Sequence, residues 1–501
     1  MQPIRKISFN NSIFRMVLVG VSILFQAGWI LLTILVLNES YPWIEAMTRI
    51  LSLTVILQLN SRNIDAAYKM PWIMLIMAFP IMGLSLYLMM DICGDLGSIG
   101  KRLRHVRQVT RQKLNRGVSP DSLSRYLQEH SGCPVYENTA VKYYSEASDA
   151  FDALKADLEK AESFIFMEYF IISGDSAFQE ICDILARKAQ QGVDVRLMYD
   201  DVGSVGTANI IFAKRMKDAG IRCMVFNPAV PFLNLFMNHR DHRKITVIDG
   251  KVGFTGGFNL SDEYFGRKIT YGRWKDTGVR LEGEAVKSLT AAFLEMWDAC
   301  TRTKEDVDSY LSVDHAVSGD CCVQPYEDDP LGDERVAENV YLSLINAAQK
   351  TLYVITPYLI ITDDMTRSLG FAAKRGVDVR IITPGIPDKK IVYGVTRSYY
   401  AGLASQGVRI FEYSPGFCHA KQMLCDGKVA SIGTSNLDYR SLYLHFENNV
   451  LIYGGEAVES MAKDFEDLFL QCEEVTAKYS SRRSRVLRMG QYILRLFAPL
   501  L

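Results

Sequence analysis

His242-Arg-Lys244, four residues and Asp249 recur at identical spacing as His419-Ala-Lys421, four residues and Asp426. After six more residues each copy runs into Gly-x-x-Asn, at Gly256 to Asn259 and at Gly433 to Asn436. The repeat extends upstream, where Gly192-Val-Asp-Val-Arg196 returns letter for letter as Gly376-Val-Asp-Val-Arg380. Self-similarity on this scale restricts the fold to two copies of one structural plan. In each copy a helix-like stretch precedes the shared pentapeptide, from Ala177 to Gln191 and from Met365 to Arg375, with apolar residues at three- and four-residue steps. Apolar, β-rich runs lie upstream again, Ser163 to Ile172 and Thr351 to Ile360. Each half therefore reads strand, helix, strand and then the histidine cluster, an α/β pattern with buried strands.

Lys244 to Asp249 alternates as a strand does, and the Asp-Gly at its end marks a tight turn. A strand puts residues two apart on one face, so His242 and Lys244 project together, and His419 and Lys421 do the same. The polar stretch Thr301 to Cys322 reads as an inter-domain linker.

The N-terminus has another character. Met16 to Leu37 is an uncharged apolar run of 22 residues and Pro71 to Met90 one of 20, each long enough to span a bilayer as a helix. Ile50 to Leu59, between them, is a third span or an interfacial helix. A 22-residue run without a small-residue cleavage site is a retained anchor rather than a signal peptide. Lys101 to Arg116 carries seven basic residues and no acid, which predicts a cytoplasmic globular part and contact with anionic headgroups. The expected organisation is an anchor of two or three helices over 1–95, a basic segment over 96–130, a first domain over 131–300, a linker over 301–325, a second domain over 326–480 and a basic amphipathic helix over 481–501. The apolar loop Pro228 to Met237 is expected to dip into acyl chains or to form a buried strand edge. The net charge of -1 gives no overall bias toward nucleic acid, and ten scattered cysteines lack zinc spacing.

An imidazole beside an ammonium, with a carboxylate and an amide at fixed offsets, suits a phosphodiester. A neutral histidine attacks phosphorus while lysine and asparagine donors hold the non-bridging oxygens. The leaving alkoxide needs a proton, which a second histidine across the phosphate supplies and later recovers from the incoming alcohol. Two half-sites facing across a pseudo-twofold axis would meet both needs, and their imidazoles would titrate as a coupled pair. The candidate catalytic set is thus His242, Lys244, Asp249, His419, Lys421 and Asp426, with Asn259 and Asn436 binding substrate. Within that set Asp249 and Asp426, five residues beyond their lysines, are expected to serve the fold rather than touch substrate. Asp276 and Glu447 are the supporting candidates for orienting the histidines through their second ring nitrogen.

The duplicated motif resembles that of the phospholipase D superfamily, and the flanking text is closer still to bacterial cardiolipin synthases. Glu168-Tyr-Phe, Tyr199 to Ser204, His239 to Lys244, Phe254 to Asn259, Trp274-Lys-Asp276, Gly416 to Lys421, Gly433 to Ser441 and Arg495 to Leu501 carry the likeness. It runs from about residue 60, where Trp72 to Leu88 resembles the family's membrane hairpin, to the last residue. The resemblance implies two tandem phospholipase D-like domains, mixed sheets flanked by helices, related by pseudo-twofold symmetry after a transmembrane helical anchor. It also implies a multi-pass bacterial membrane enzyme that joins two phosphatidylglycerols into cardiolipin and glycerol through a phosphohistidine. Asp241, where asparagine is frequent, and the bulky Phe258 depart from the family pattern and put substrate preference in question.

The resemblance favours His242 as the nucleophile; the residues themselves do not distinguish the two roles. Lysines and amides supply the charge stabilisation, so no metal or nucleotide cofactor is expected. A different phosphatidyltransferase or phospholipid hydrolase would use the same residues. A membrane-tethered nuclease fits less well, because the apolar N-terminus would have no purpose.

Overall fold

The computed structural model describes residues 42–62, 66–92, 98–114, 117–207, 210–228, 239–303, 306–332 and 334–480, together with 21, 24, 28, 495 and 498. Nearly all of the apolar run from Met16, most of the loop from Pro228 and nearly all of the C-terminal segment from Arg482 lie outside these residues.

Strands β1 (Thr139–Tyr144), β2 (Phe164–Tyr169), β3 (Asp194–Asp200), β4 (Arg222–Phe226), β5 (Arg240–Asp241), β6 (Lys244–Ile248), β7 (Val252–Gly256), β8 (Arg273–Lys275) and β9 (Gly278–Gly283) come from the first half. The second half gives β10 (Cys322–Asp328), β11 (Thr351–Ile355), β12 (Asp378–Pro384), β13 (Arg409–Tyr413), β14 (Gly416–Cys418), β15 (Gln422–Cys425), β16 (Val429–Gly433), β17 (His445–Tyr453) and β18 (Cys472–Glu474). The first sheet runs β1-β9-β7-β6-β2-β3-β4 and the second β10-β17-β16-β15-β11-β12-β13-β18, the same order with one added edge strand. In both, a parallel trio joins an antiparallel set, at β2 with β6 and at β11 with β15. This is the α/β plan expected from the repeat, with the mixed sheets that the resemblance implied.

The sheets share one core. Helices Val286–Thr301 and Gly455–Phe469 contribute Phe293, Trp297, Met461 and Phe465 to a cluster that also holds Phe166 and Ile245 of the first sheet and Val450 and Ile452 of the second. Helix Val286–Thr301 is buried from Ser288 through Ala299, which explains why its sequence is apolar all round. Ala147–Leu158 and Ser176–Gln190 cover the outer face of the first sheet, and Val336–Ala347, Asp363–Lys374 and Lys390–Ala404 that of the second. The expected linker is itself packed: Tyr310 lies edge-on to Phe164 at 5.0 Å and donates to Asp194 at 3.0 Å.

Two N-terminal expectations are revised. The run from Pro71 is not one helix but two, Ala66–Ala78 and Pro80–Ile92, because proline disfavours helical geometry at the residue before it and suits the first helical position. They fold against each other, with Trp72 edge-on to Tyr87 at 5.7 Å and Gly83 so close to Ile76 that a Cβ would sit 2.6 Å from its Cα. Pro42–Ser61 packs on this hairpin through Val55 and Leu59. Among the described residues no helix is long and apolar enough to cross a membrane. The basic stripe, for its part, forms helix Ser98–Arg111 with much of its charge turned inward. Arg107 and Arg111 bond Glu295 at 3.1 and 2.7 Å, Arg111 also pairs with Glu327, and Arg102 donates to the Ala299 carbonyl at 2.8 Å.

Candidate active site

Each histidine is built into the other half of the chain. β5 pairs in parallel with the start of β17, and the His242 N–H donates to the Phe446 carbonyl at 2.9 Å. β14 pairs in parallel with β8, and the His419 N–H donates to the Lys275 carbonyl at 2.7 Å. The residue after each acceptor is a carboxylate, so the backbone register fixes which acid meets which ring. His242 Nδ1 lies 2.9 Å from both oxygens of Glu447, and His419 Nδ1 lies 2.7 Å from Asp276 Oδ2. Asp276 and Glu447 thus stand where orienting carboxylates were expected, each exchanged across the halves.

The motif interiors hold these acids in place. Thr434 donates to Glu447 Oε2 at 2.5 Å, while the matching position in the first half is Gly257, where a Cβ would lie 2.1 Å from Asp276 Oδ1. Asp276 Oδ1 also accepts from the Thr277 N–H at 2.9 Å.

Lys244 and Lys421 are 1% exposed, and each donates to the carbonyl of its own histidine. Burial pulls Lys244 down to about 7 against the upward pull of Glu447, and Lys421 down to about 8 against that of Asp276. Burial likewise lowers both imidazoles. His242 falls well below its usual value, with Lys244, His445, Lys421 and His419 adding to the effect. His419 falls to about 4, because Lys421 reinforces burial while Asp276 resists it. Burial pushes Glu447 well up despite Lys244; in Asp276 the interaction with His419, together with Lys421 and the Thr277 N–H, outweighs burial and holds it down. Both rings are therefore neutral, with Nδ1–H committed to a carboxylate and Nε2 left for chemistry.

Asp249 and Asp426 are not brought into the site. Asp249 accepts from the backbone N–H groups of Glu162, Ser163 and Phe164 at 2.7–2.8 Å, and Asp426 from Gln349, Lys350 and Thr351 at 2.7–2.9 Å. They tie the first turn of each motif hairpin to the start of β2 and of β11. Asn259 is engaged, donating to Tyr264 Oη at 2.8 Å and accepting from the Ile171 N–H at 3.0 Å. Asn436 keeps a buried Oδ1 without a partner. Asp241 and Phe258 face the interior: Asp241 pairs with Arg243 at 3.2 Å beside Glu168 and Glu327, and Phe258 lies 5.8 Å from Phe265.

The region matched by the family described as "Cardiolipin synthase, PLD-like domain" covers residues 154–297 and 341–469, one stretch for each half-site. A cardiolipin synthase of a Geobacillus species is 33% identical over 88% of this chain and 91% of its own. The chain belongs to the cardiolipin synthase family. An uncharacterised protein of Streptococcus mutans is 39% identical over 89% of this chain and 99% of its own. The crystal structure of phosphatidylserine synthase from Haemophilus influenzae shares the fold, with a TM-score of 0.56 at 14% identity over 76% of this chain and 98% of that one. Sequence reasoning in this cardiolipin synthase relative missed Thr434 and Tyr264, which serve Glu447 and Asn259, and His445, two residues before Glu447 in β17. For His445 and Thr434 the only signal was adjacency to a motif residue.

Proposed function

We propose that the chain transfers a phosphatidyl group from one phosphatidylglycerol to another, giving cardiolipin and glycerol. The exchanged carboxylates carry this reading, since they leave two neutral imidazoles sharing one site with two buried lysines. His242 Nε2 attacks phosphorus, the bond to the departing glycerol oxygen breaks, and that oxygen takes a proton from His419 Nε2. The second lipid's hydroxyl returns a proton to His419 as its oxygen attacks phosphorus, the P–N bond breaks, and His242 is regenerated. Lys244, Lys421 and the motif amides hold the phosphate oxygens.

The environments favour this division of roles. His419 has an ionised Asp276 to support an imidazolium, whereas burial and the neighbouring Lys244 disfavour one at His242. The bound phosphate monoanion supplies the negative charge that lets His419, neutral in the free enzyme, take up from solvent the Nε2 proton it then gives to the glycerol oxygen.

Exposed Trp43, Met47, Ile50, Leu53, Met77 and Phe79 support insertion of the N-terminal helices into a bacterial cell membrane, with both sheets on the cytoplasmic side. The same reading divides the chain near residues 95, 130, 300, 325 and 480. Supplying the full chain with vesicles of phosphatidylglycerol alone tests the function. Cardiolipin and free glycerol should form in equal amounts, and phosphatidic acid as the main product would overturn the transfer reading.

A further inference from the structure

A third imidazole stands beside the reacting pair and has no part in the steps above. His445 is 8% exposed, its ring centroid is 5.5 Å from that of His242, and neither of its buried nitrogens has a hydrogen-bond partner. Burying two unsatisfied polar atoms costs free energy that a folded protein rarely leaves unanswered. The nearby Glu447 Oε1 lies 3.7 Å from His445 Nδ1 and 2.9 Å from His242 Nδ1. One donor atom from each of His242, His445 and Glu447 lies within 4.8 Å of the other two. Ligands around a tetrahedral zinc ion, with bonds near 2.0–2.1 Å, stand about 3.4 Å apart, within reach of these separations. Two imidazoles and a carboxylate are also a donor set that zinc accepts with its fourth position open.

We propose that His242, His445 and Glu447 form an inhibitory site for one divalent transition-metal ion of the zinc class. Coordination through Nδ1 of His242 replaces the hydrogen bond to Glu447, and the proton leaving Nδ1 is taken up at Nε2. The Nε2 lone pair is then used by that proton and is withheld from phosphorus. Glu447 turns from orienting the ring to holding the ion. No lipid bond forms or breaks, and the metal is an off-switch rather than a requirement for turnover. The inhibitory step rests on the transfer reading for His242; the binding itself does not.

The full chain in detergent micelles is titrated with Co²⁺ as a spectroscopic probe, then with Zn²⁺ and Mg²⁺. One Co²⁺ per chain should give the intense visible absorption of a four-coordinate site, displaced by Zn²⁺ and untouched by Mg²⁺. X-ray absorption of the Co²⁺ form should show two imidazoles and a carboxylate oxygen, and a shell dominated by thiolates would overturn the proposal without recourse to any variant. Zn²⁺ should lower cardiolipin formation at least tenfold, reversibly with a chelator. His445→Asn, checked for fold by circular dichroism, should weaken Co²⁺ binding at least tenfold and raise the ratio of turnover with Zn²⁺ to turnover without it. Equal Zn²⁺ sensitivity in His445→Asn and wild type would sink the site. Co²⁺ bound with the expected shell in an enzyme that forms no cardiolipin would instead remove the transfer reading and leave the site standing.

Discussion

Glu447 receives the Nδ1–H of His242 between carboxylate oxygens each 2.9 Å away, although the two residues come from opposite halves of the duplicated chain. Neither half can therefore orient its own histidine. Glu447→Gln replaces the carboxyl acceptor with an amide able to favour the wrong tautomer. Turnover should fall about 10²- to 10⁴-fold, as loss of an orienting carboxylate does elsewhere. Asp276→Asn should do the same through His419. Labelled phosphatidylglycerol in vesicles gives the rates, and a loss under threefold in either variant would remove the orienting role.

The two rings should separate kinetically when the leaving group no longer needs a proton. With a phosphatidyl ester of p-nitrophenol, His419→Ala should still release about one nitrophenolate per chain in a burst. His242→Ala should show none. Mass spectrometry of the His419→Ala protein should then place the phosphatidyl group on His242, and its appearance elsewhere would reverse the roles.

Much of this arrangement could be read from the residues. Identical spacing around His242 and His419 required two copies of one plan, and alternation from Lys244 put histidine and lysine on one face. The exchange of Glu447 and Asp276 could not be read, because it depends on the register between β5 and β17 and between β14 and β8, pairings about 200 and 140 residues apart in sequence. His445 was passed over because an unpartnered buried ring leaves no periodic signature. In the basic stripe, composition could not reveal that Arg107 and Arg111 answer the buried Glu295, whose own helix reads as apolar.

The lysines predict an alkaline limit. Lys244, drawn to about 7, and Lys421, drawn to about 8, hold phosphate oxygens only when protonated. In the free enzyme that charge is present below those values and lost as pH rises through them, so kcat/KM should fall from pH 7 upward. A bound phosphate anion favours the ammonium forms and should move the limb in kcat to higher pH. A kcat/KM profile flat to pH 9 would show that these lysines do not hold the substrate.

Asp249 should matter for folding and not for chemistry. Its carboxylate satisfies three backbone N–H groups from a left-handed backbone of φ +53°, a conformation aspartate tolerates better than alanine. Asp249→Ala should cost about 2–4 kcal/mol, the scale of several lost buried hydrogen bonds, with near-normal turnover per folded molecule. Asp426 adds a pH signature: burial acts to raise its pKa, but the N–H groups of Thr351, Lys350 and Gln349 prevail and hold it down. A depressed folded value means stability present above the unfolded pKa and lost as acid titrates the folded group. Urea midpoints from pH 7 down to pH 3 should therefore fall less in Asp426→Asn than in wild type.

Gly257 sets the shape of one half-site, where its counterpart Thr434 serves the other by hydrogen bonding. A methyl group at Gly257 would stand 2.1 Å from Asp276 Oδ1, too close for either to remain. The carboxylate is the mobile partner, so Gly257→Ala should turn it away from His419 and lower kcat about 10- to 100-fold, the scale for losing a group behind a working imidazole. If the effect passes wholly through Asp276, then adding Gly257→Ala to Asp276→Asn should cost little more than Asp276→Asn alone, because the contact is already gone. Fully multiplicative losses in the double variant would instead mean that Gly257 acts on the site by a separate route, most directly through Asn259 two residues on.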